Sequence, residues 1–277
     1  MRVRPRPDTG LPIRIAFLIL GIVATLVLAG PYLAPHDPLA QNPYALLRWP
    51  SQDHWLGTDA FGRDVLSRLL AGSRVSILAS LLSVAIGLLF GVVPGLASVF
   101  LNRHFEWLSL RLIDALMTLP FLVFAIAMTA MLGNGLVQAM FAVGILITPA
   151  FYRVSRAAAL SVVNSDYIEA ARLMGASTFF IIRRHVLSKV LPAVAVTTAA
   201  MAGACLSIVA SLTFLGIGVV PPEPTWGGLL ATDLTTLYER PFGPFAPGLL
   251  IVATVWALNA LADGLRDRIT QPQEAQA

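Results

Sequence analysis

Five stretches of this chain carry no Asp, Glu, Lys, Arg or His: 15–35, 75–102, 115–152, 190–222 and 241–262. A helix needs about 20 mostly apolar residues to cross a hydrocarbon core about 30 Å thick, and every run reaches that length. Run 115–152 suffices for two crossings, with Gly133-Asn134-Gly135 near its middle as the tight turn between them. The helix in 190–222 is expected to end near Leu212. Six crossings result, so both termini lie on one side. Charged residues make up 12% of the 277 positions, about half the share of a soluble domain, which excludes a water-facing globule. Disordered chains are apolar-poor and charge-rich, so disorder is excluded as well. The single cysteine, Cys205, rules out a disulfide framework or a thiolate metal cluster.

The basic residues orient the spans. With the N-terminus inside, segments 1–14, 102–114, 153–189 and 263–277 carry 14 Arg and Lys, against five outside: Arg48, Arg63, Arg68, Arg74 and Arg240. Short cytoplasmic segments are enriched in these residues, so both termini are expected in the cytoplasm. Arg2, Arg4, Arg6 and Arg14 before the first run also resemble the start of a signal peptide. The run exceeds a usual signal core, however, and Pro31, Pro35 and Pro38 crowd the cleavage zone, so the helix is expected to be retained.

The spans read as free of ionisable side chains in their interiors. Proton-coupled carriers use intramembrane carboxylates and many channels use charged rings, so both readings are weakened. A carrier that holds sodium through backbone carbonyls stays open. Gly87, Gly91 and Gly95 form a stripe with Ser76, Ser80 and Ser83, suited to close helix packing or to a sliding face. Thr197, Thr198, Ser207 and Ser211 either line a polar path or bond to their own helix. No phosphate-binding loop exists, because the only lysine is Lys189 and no Gly-rich turn precedes it. His36, His54, His104 and His185 are scattered, with no HExxH pair, so no catalytic set and no metal set is legible.

Segment 153–189 is the informative one. Asp166 and Glu169 have capping-box spacing, and Gly175 suits a left-handed helix end. Tyr167, Ala170, Ala171 and Met174 fall on one side of about two helical turns between them. So short a helix is marginal alone. It lies either on the membrane surface or against a partner. The cations of 179–191 (Arg183, Arg184, His185, Lys189) read as lipid anchors and not as a nucleic-acid site.

Glu169-Ala170-Ala171, Gly175, His185-Val186-Leu187 and Leu191-Pro192 resemble the EAA loop of ATP-binding-cassette (ABC) importer permeases. Gly57-Thr58-Asp59-Ala60-Phe61-Gly62-Arg63-Asp64 with Ser67-Arg68 is similar to the segment before the second helix in C-type subunits of dipeptide and oligopeptide permeases. Phe214-Leu215-Gly216-Ile217-Gly218 with Pro221-Pro222-Glu223-Pro224-Thr225-Trp226-Gly227 is similar to their segment after helix five. Ser188-Lys189, ahead of Leu191-Pro192, departs from the pattern.

The resemblance implies an all-α membrane protein with six transmembrane helices and the type I importer permease fold. It would comprise a first helix and outer loop in 1–73, a five-helix core in 74–268 with coupling loop 153–189, and a cytoplasmic tail in 269–277. It implies a bacterial inner-membrane permease subunit moving dipeptides or oligopeptides, itself without cofactor, with ATP and Mg on the partner ATPases. Implied partners are a homologous B-type permease, two cytoplasmic ATPase subunits or domains, an extracytoplasmic substrate-binding protein and membrane lipid. Asp166, Tyr167, Glu169, Ala170, Ala171, Arg172, Met174 and Gly175 would be the ATPase-coupling element. The outer motif residues are Gly57, Thr58, Asp59, Gly62, Arg63, Asp64, Pro222, Trp226 and Gly227, the 57–64 cluster being expected to cap a short surface helix. Trp226 is either an interfacial anchor or a contact at the pore mouth or binding protein. The runner-up from the residues alone is a self-sufficient carrier or channel.

Overall fold

The computed structural model describes residues 10–274, with side chains for 11–269. Arg2, Arg4 and Arg6 and the last residues of the tail lie outside them. The described residues form α1 (Gly10–Leu33), α2 (Val65–Phe100), α3 (Arg103–Thr118), α4 (Phe121–Leu132), α5 (Leu136–Val163) and α6 (Asp166–Leu173). After these come α7 (Thr178–Ile181), a π turn (Ile182–Val186), α8 (Leu187–Phe214), α9 (Trp226–Thr235) and α10 (Phe245–Glu274).

The centre of the bundle is the α2–α5 seam. A Cβ on Gly91 would lie 2.5 Å from the Phe151 Cβ and 2.7 Å from the Thr148 carbonyl oxygen. Gly87 faces Ile147 and Gly144, and Gly95 faces Tyr152 and Ser155. Ser83 continues the seam beside Met140, while Ser76 takes the Trp226 amide of α9 and Ser80 bonds back to Ser76 O within α2, so the small-residue stripe packs against more than one neighbour. Lipid tails drive no helix together by the hydrophobic effect, and close backbone approach supplies dispersion contact instead. Thr197, Thr198, Ser207 and Ser211 each donate to the carbonyl four residues earlier in α8, the bland one of their two readings.

The order of contacts along the seam shows that α2 and α5 run parallel. The chain leaves α2 at Phe100 and enters α5 at Leu136, which packs beside Ala79 of α2. Those 21 residues of α2 span about 32 Å at 1.5 Å per residue. Hence α3 and α4 together must carry the chain back across the membrane. They do so as a broken pair bent by 102°, where the sequence reading had one helix over 115–132. Pro120 disfavours helical torsions at Leu119, which is extended at ψ 127. With this pair, five long apolar helices become six crossings.

Other limits also move. Helix α2 begins at Val65 instead of Val75, capped by Asp64, so the expected boundary at 73/74 falls inside it. Helix α5 runs to Val163, and the supposed loop 153–189 is mostly helical. Pro192 sits within α8, and no turn marks the Ser188-Lys189 departure. At the α6 end of the bundle, Gly264 of α10 faces Ile13 of α1. Gly30, near the far end of α1, meets Leu70 of α2. Both ends of the described chain therefore lie on the side that carries α6.

Gly91→Leu is expected to cost about 1–3 kcal/mol or more by overpacking the seam. Gly21→Ala, with nothing within 4 Å of its added Cβ, is expected to be neutral or mildly stabilising. Thermal unfolding of the full chain in detergent, followed by circular dichroism, separates the two.

Candidate functional site

Two sites lie at opposite ends of the bundle, and both grow from sequence motifs. At the first, α6 projects from the end of α5. Ile168 is 0% exposed and shares a core with Val162, Ile181 and Val186, which fixes the helix to its own bundle. The anticipated capping box is not formed. Ser165 is the N-cap without a side-chain cap bond, its hydroxyl donating back to the Val162 carbonyl. Asp166 is instead the first helical residue. The other end matches expectation: Gly175 has φ +88°, its amide donates to Arg172 O, and Ala176 N donates to Ala171 O. These two bonds make a Schellman close.

The face of Tyr167, Ala170, Ala171 and Met174 is not the one buried against the bundle. Tyr167 and Ala170 are exposed and Ala171 is half-buried, while Leu173 and Met174 are 84% and 83% exposed. Phe179 and Phe180 extend this apolar surface. Asp166, Glu169 and Arg172 are exposed, and no ion pair joins them to the described residues. His185, reached through the π turn, lies between Tyr167 and Phe180 at ring distances of 5.6 and 5.9 Å. The separated pieces of the EAA-like motif thus meet: His185 braces Tyr167, and Val186 packs in the core of Ile168.

At the opposite end the two outer motif segments lock together. Gly57 and Gly62 take φ of +73° and +72°, so the chain folds back and Thr58 pairs with Asp64. No short surface helix forms there; Asp64 caps α2 itself, its Oδ2 accepting from the Ser67 amide at 2.8 Å and hydroxyl at 2.6 Å. Burial opposes the Asp64 charge, but the Ser67 bonds and His54 outweigh it and hold its pKa below the ordinary 3.8. Arg63 Nε donates to Asp59 Oδ2 at 2.7 Å. Arg68 reaches the Pro38 and Pro222 carbonyls, tying the first motif to the second. Arg240 donates to the Thr58 and Leu56 carbonyls at 2.8 and 2.7 Å.

Trp226 is 0% exposed, which corrects both readings of it. Its indole Nε1 donates to Leu69 O and its amide to Ser76 Oγ, in a core with Val23, Leu206 and Leu229. A Cβ on Gly227 would overlap Ala210 O, so this turn sits directly on α8. Nor are the histidines all scattered: the rings of His36 and His54 are 4.7 Å apart.

Asp233 is buried at this end, with Oδ1 4.0 Å from Arg240 and Oδ2 without a hydrogen bond. Burial pushes its pKa from 3.8 up to about 6, with Arg240 opposing, Asp59 adding and Arg68 opposing. The fold therefore holds a proton that the unfolded chain releases. The contribution of Asp233 to stability is greatest below pH 3.8, falls as pH rises to about 6, and is level above. Asp233→Asn removes that slope. Relative to wild type, the variant should gain on the order of 3 kcal/mol between pH about 4 and about 7, read by thermal unfolding across pH.

Residues 83–272 match the family described as binding-protein-dependent transport system inner membrane component. The di/tripeptide transport system permease protein of Pseudomonas aeruginosa is 38% identical over 91% of this chain and 85% of its own. The glutathione transport system permease protein of Pectobacterium atrosepticum is 37% identical over 86% and 79%. The probable D,D-dipeptide transport system permease protein of Escherichia coli is 35% identical over 90% and 84%. Among solved structures, a methionine ABC transporter in an inward-facing conformation aligns with a TM-score of 0.60 at 18% identity, over 72% of this chain and 95% of that one. An amino acid ABC transporter aligns at 0.56 and 15%, over 74% and 94%.

Proposed function

The chain belongs to the family of binding-protein-dependent transport system inner membrane components, and we propose that it couples a cytoplasmic ATPase to peptide passage through the α6 end of its bundle. It is a transmembrane permease subunit of an ABC importer, a multi-span protein of the bacterial inner membrane. The self-sufficient carrier or channel falls away with that membership. Our reading of the cargo is a dipeptide, oligopeptide or similar small peptide, the class named for its relatives.

One observation carries the coupling role. Helix α6 is pinned by Ile168 while Leu173 and Met174 at its end, and Phe179 of α7, stand in the open. A rigid helix with an unpartnered apolar tip fits a groove on another chain and passes the motion of that groove to α5 and α8. Glu169 and Arg172 would add charge-assisted contacts at the rim. We read the chain as non-catalytic, with hydrolysis of ATP, and its Mg, on two ATPase subunits or domains. A homologous permease would supply the other half of the path, and an extracytoplasmic binding protein would deliver cargo at the Trp226 end. Both termini and α6 then face the cytoplasm. The basic residues support this: of the five assigned outside, Arg63, Arg68 and Arg240 are buried in internal bonds, so few remain free there.

Leu173→Arg with Met174→Arg should remove an apolar anchor. A loss of about 2 kcal/mol would weaken ATPase binding about thirtyfold, seen as failure of the ATPase to copurify. Gly175→Val forces a β-branched residue to φ +88°, at about 1–3 kcal/mol of local strain, and should abolish uptake while membrane insertion survives. Normal uptake by both variants would end the coupling assignment. Met174→Cys tests the side: Cys205 is buried, so an impermeant maleimide should label the variant in inverted vesicles and not in intact cells.

A further inference from the structure

We propose that His36, His54 and Asp64 form a site for a divalent first-row transition cation, zinc by its preference for imidazole and carboxylate ligands, which clips the segment after α1 to the first turn of α2. The inference does not rest on the coupling role of α6, because it concerns the other end of the bundle. His54 Nδ1 is 2.9 Å from Asp64 Oδ1, and His36 Nδ1 is 3.9 Å from Asp64 Oδ2. One ligand atom from each residue lies within 4.8 Å of the other two.

The three ligands are held by the fold and do not merely meet at the surface. Asp64 is buried, and its Oδ2 is fixed by the Ser67 amide and hydroxyl. That leaves Oδ1, with its free lone pair, as the ligand oxygen, so the cap of α2 survives metal binding. The His36 amide donates to Ser67 Oγ at 3.1 Å, which holds that residue beside the cap. His54 is set by a turn in which Ser51 and Gly57 donate to its carbonyl and its own amide donates to Ser51 Oγ.

His36 gives the sharper indication. Its Nδ1 lies 3.9 Å from Asp64 Oδ2, beyond hydrogen-bond range. It has no hydrogen-bond partner among the described residues. A cation bound by this ring and by Oδ1 of the same carboxylate, within 4.8 Å of each other, would give the ring the partner it lacks. Zinc–nitrogen and zinc–oxygen bonds of about 2.0–2.2 Å require the ligand atoms to draw together slightly. The His36 side chain is 42% exposed and free to rotate into place. His54 must present its Nδ1 lone pair and carry its proton on Nε2, so the ion takes the place of the Nδ1–H···Oδ1 hydrogen bond. The open side at His36 leaves a fourth position for water, giving the two-imidazole, one-carboxylate, one-water set that tetrahedral zinc accepts.

The test uses the full chain in detergent, without a polyhistidine tag, stripped by a chelator and titrated calorimetrically with zinc chloride. We expect one zinc per chain and a raised unfolding temperature when zinc is bound. His36→Gln and His54→Gln should each weaken binding about a hundredfold or more, while His104→Gln leaves it unchanged. His36→Gln alters an exposed side chain and keeps Asp64 on its cap, so its folding is checked directly by circular dichroism. Cobalt in place of zinc should give visible absorption bands that vanish in both variants. Absence of saturable zinc binding by the wild type would overturn the proposal. So would unchanged zinc affinity and cobalt bands in His36→Gln and His54→Gln, which would mark an adventitious ion elsewhere.

Discussion

The close approach of α2 to α5 governs the rest of the architecture. Where Gly87, Gly91 and Gly95 meet Ile147, Phe151 and Ser155, no Cβ of α2 intervenes, and the side chains and carbonyls of α5 pack directly on the α2 backbone along several turns. Because the pair is parallel, the connection between them has to recross the bilayer, and only α3 and α4 are available for that. The bend at Pro120 makes this return indirect. Its α3 limb is held by polar contacts: Ser109 Oγ lies 2.8 Å from Tyr152 Oη, and Arg156 bridges Glu106 and Ser98. The wide α2–α5 surface is thus the fixed frame, and the bent limb is its attachment.

The opposite end shows how buried charge is tolerated near a membrane boundary. Arg63, Arg68 and Arg240 are each almost fully buried, yet each places at least one donor on a carbonyl or on Asp59, and Arg68 Nε, without a hydrogen bond, lies 3.6 Å from the Asp59 carboxylate. Removing a charge from water is costly unless its donors are satisfied, and here the acceptors are loop carbonyls that would otherwise be orphans. Arginine suits this task because its fork of donors reaches separate stretches of chain at once. Arg68 spans the Pro38 and Pro222 carbonyls and Arg240 those of Leu56 and Thr58, so distant loops close over the Trp226 core. Asp233 Oδ2 and Arg68 Nε are left without a hydrogen bond, and burial of the Asp233 carboxyl raises its pKa to about 6.

Much of this was legible in the sequence, and the failures have physical causes. Runs without ionisable residues located the spans, since lipid excludes charge whatever the tertiary fold. Gly175 was read correctly because a left-handed torsion is a local demand. Helix α2 starts ten residues before the charge-free run that locates it, because Arg68 lies inside the helix with its charge beside Asp59 and its donors on carbonyls remote in sequence. Pro120 stood in plain view within 115–152, but an apolar run hides a break that only backbone torsion reveals. Trp226 was misread because tryptophan at a membrane boundary suits an interface and a core equally. His36 and His54 are 18 positions apart, and no periodicity announces that two turns bring them to one carboxylate.

The position of Ile168 bears on how force can travel through this protein. A helix of eight residues would fray if it were held only by its ends. Ile168 enters the same core as Val162 of α5 and Val186 at the head of α8, while Gly175 closes the far end. Displacing α6 therefore requires moving the ends of α5 and α8 with it, because a close-packed core transmits strain and does not absorb it. Both of those helices pack in the cluster that holds the α2–α5 seam. A push on the exposed tip at Leu173 and Met174 is thereby delivered to the frame of the bundle, and the π turn that contains His185 is an irregular joint on the way to α8.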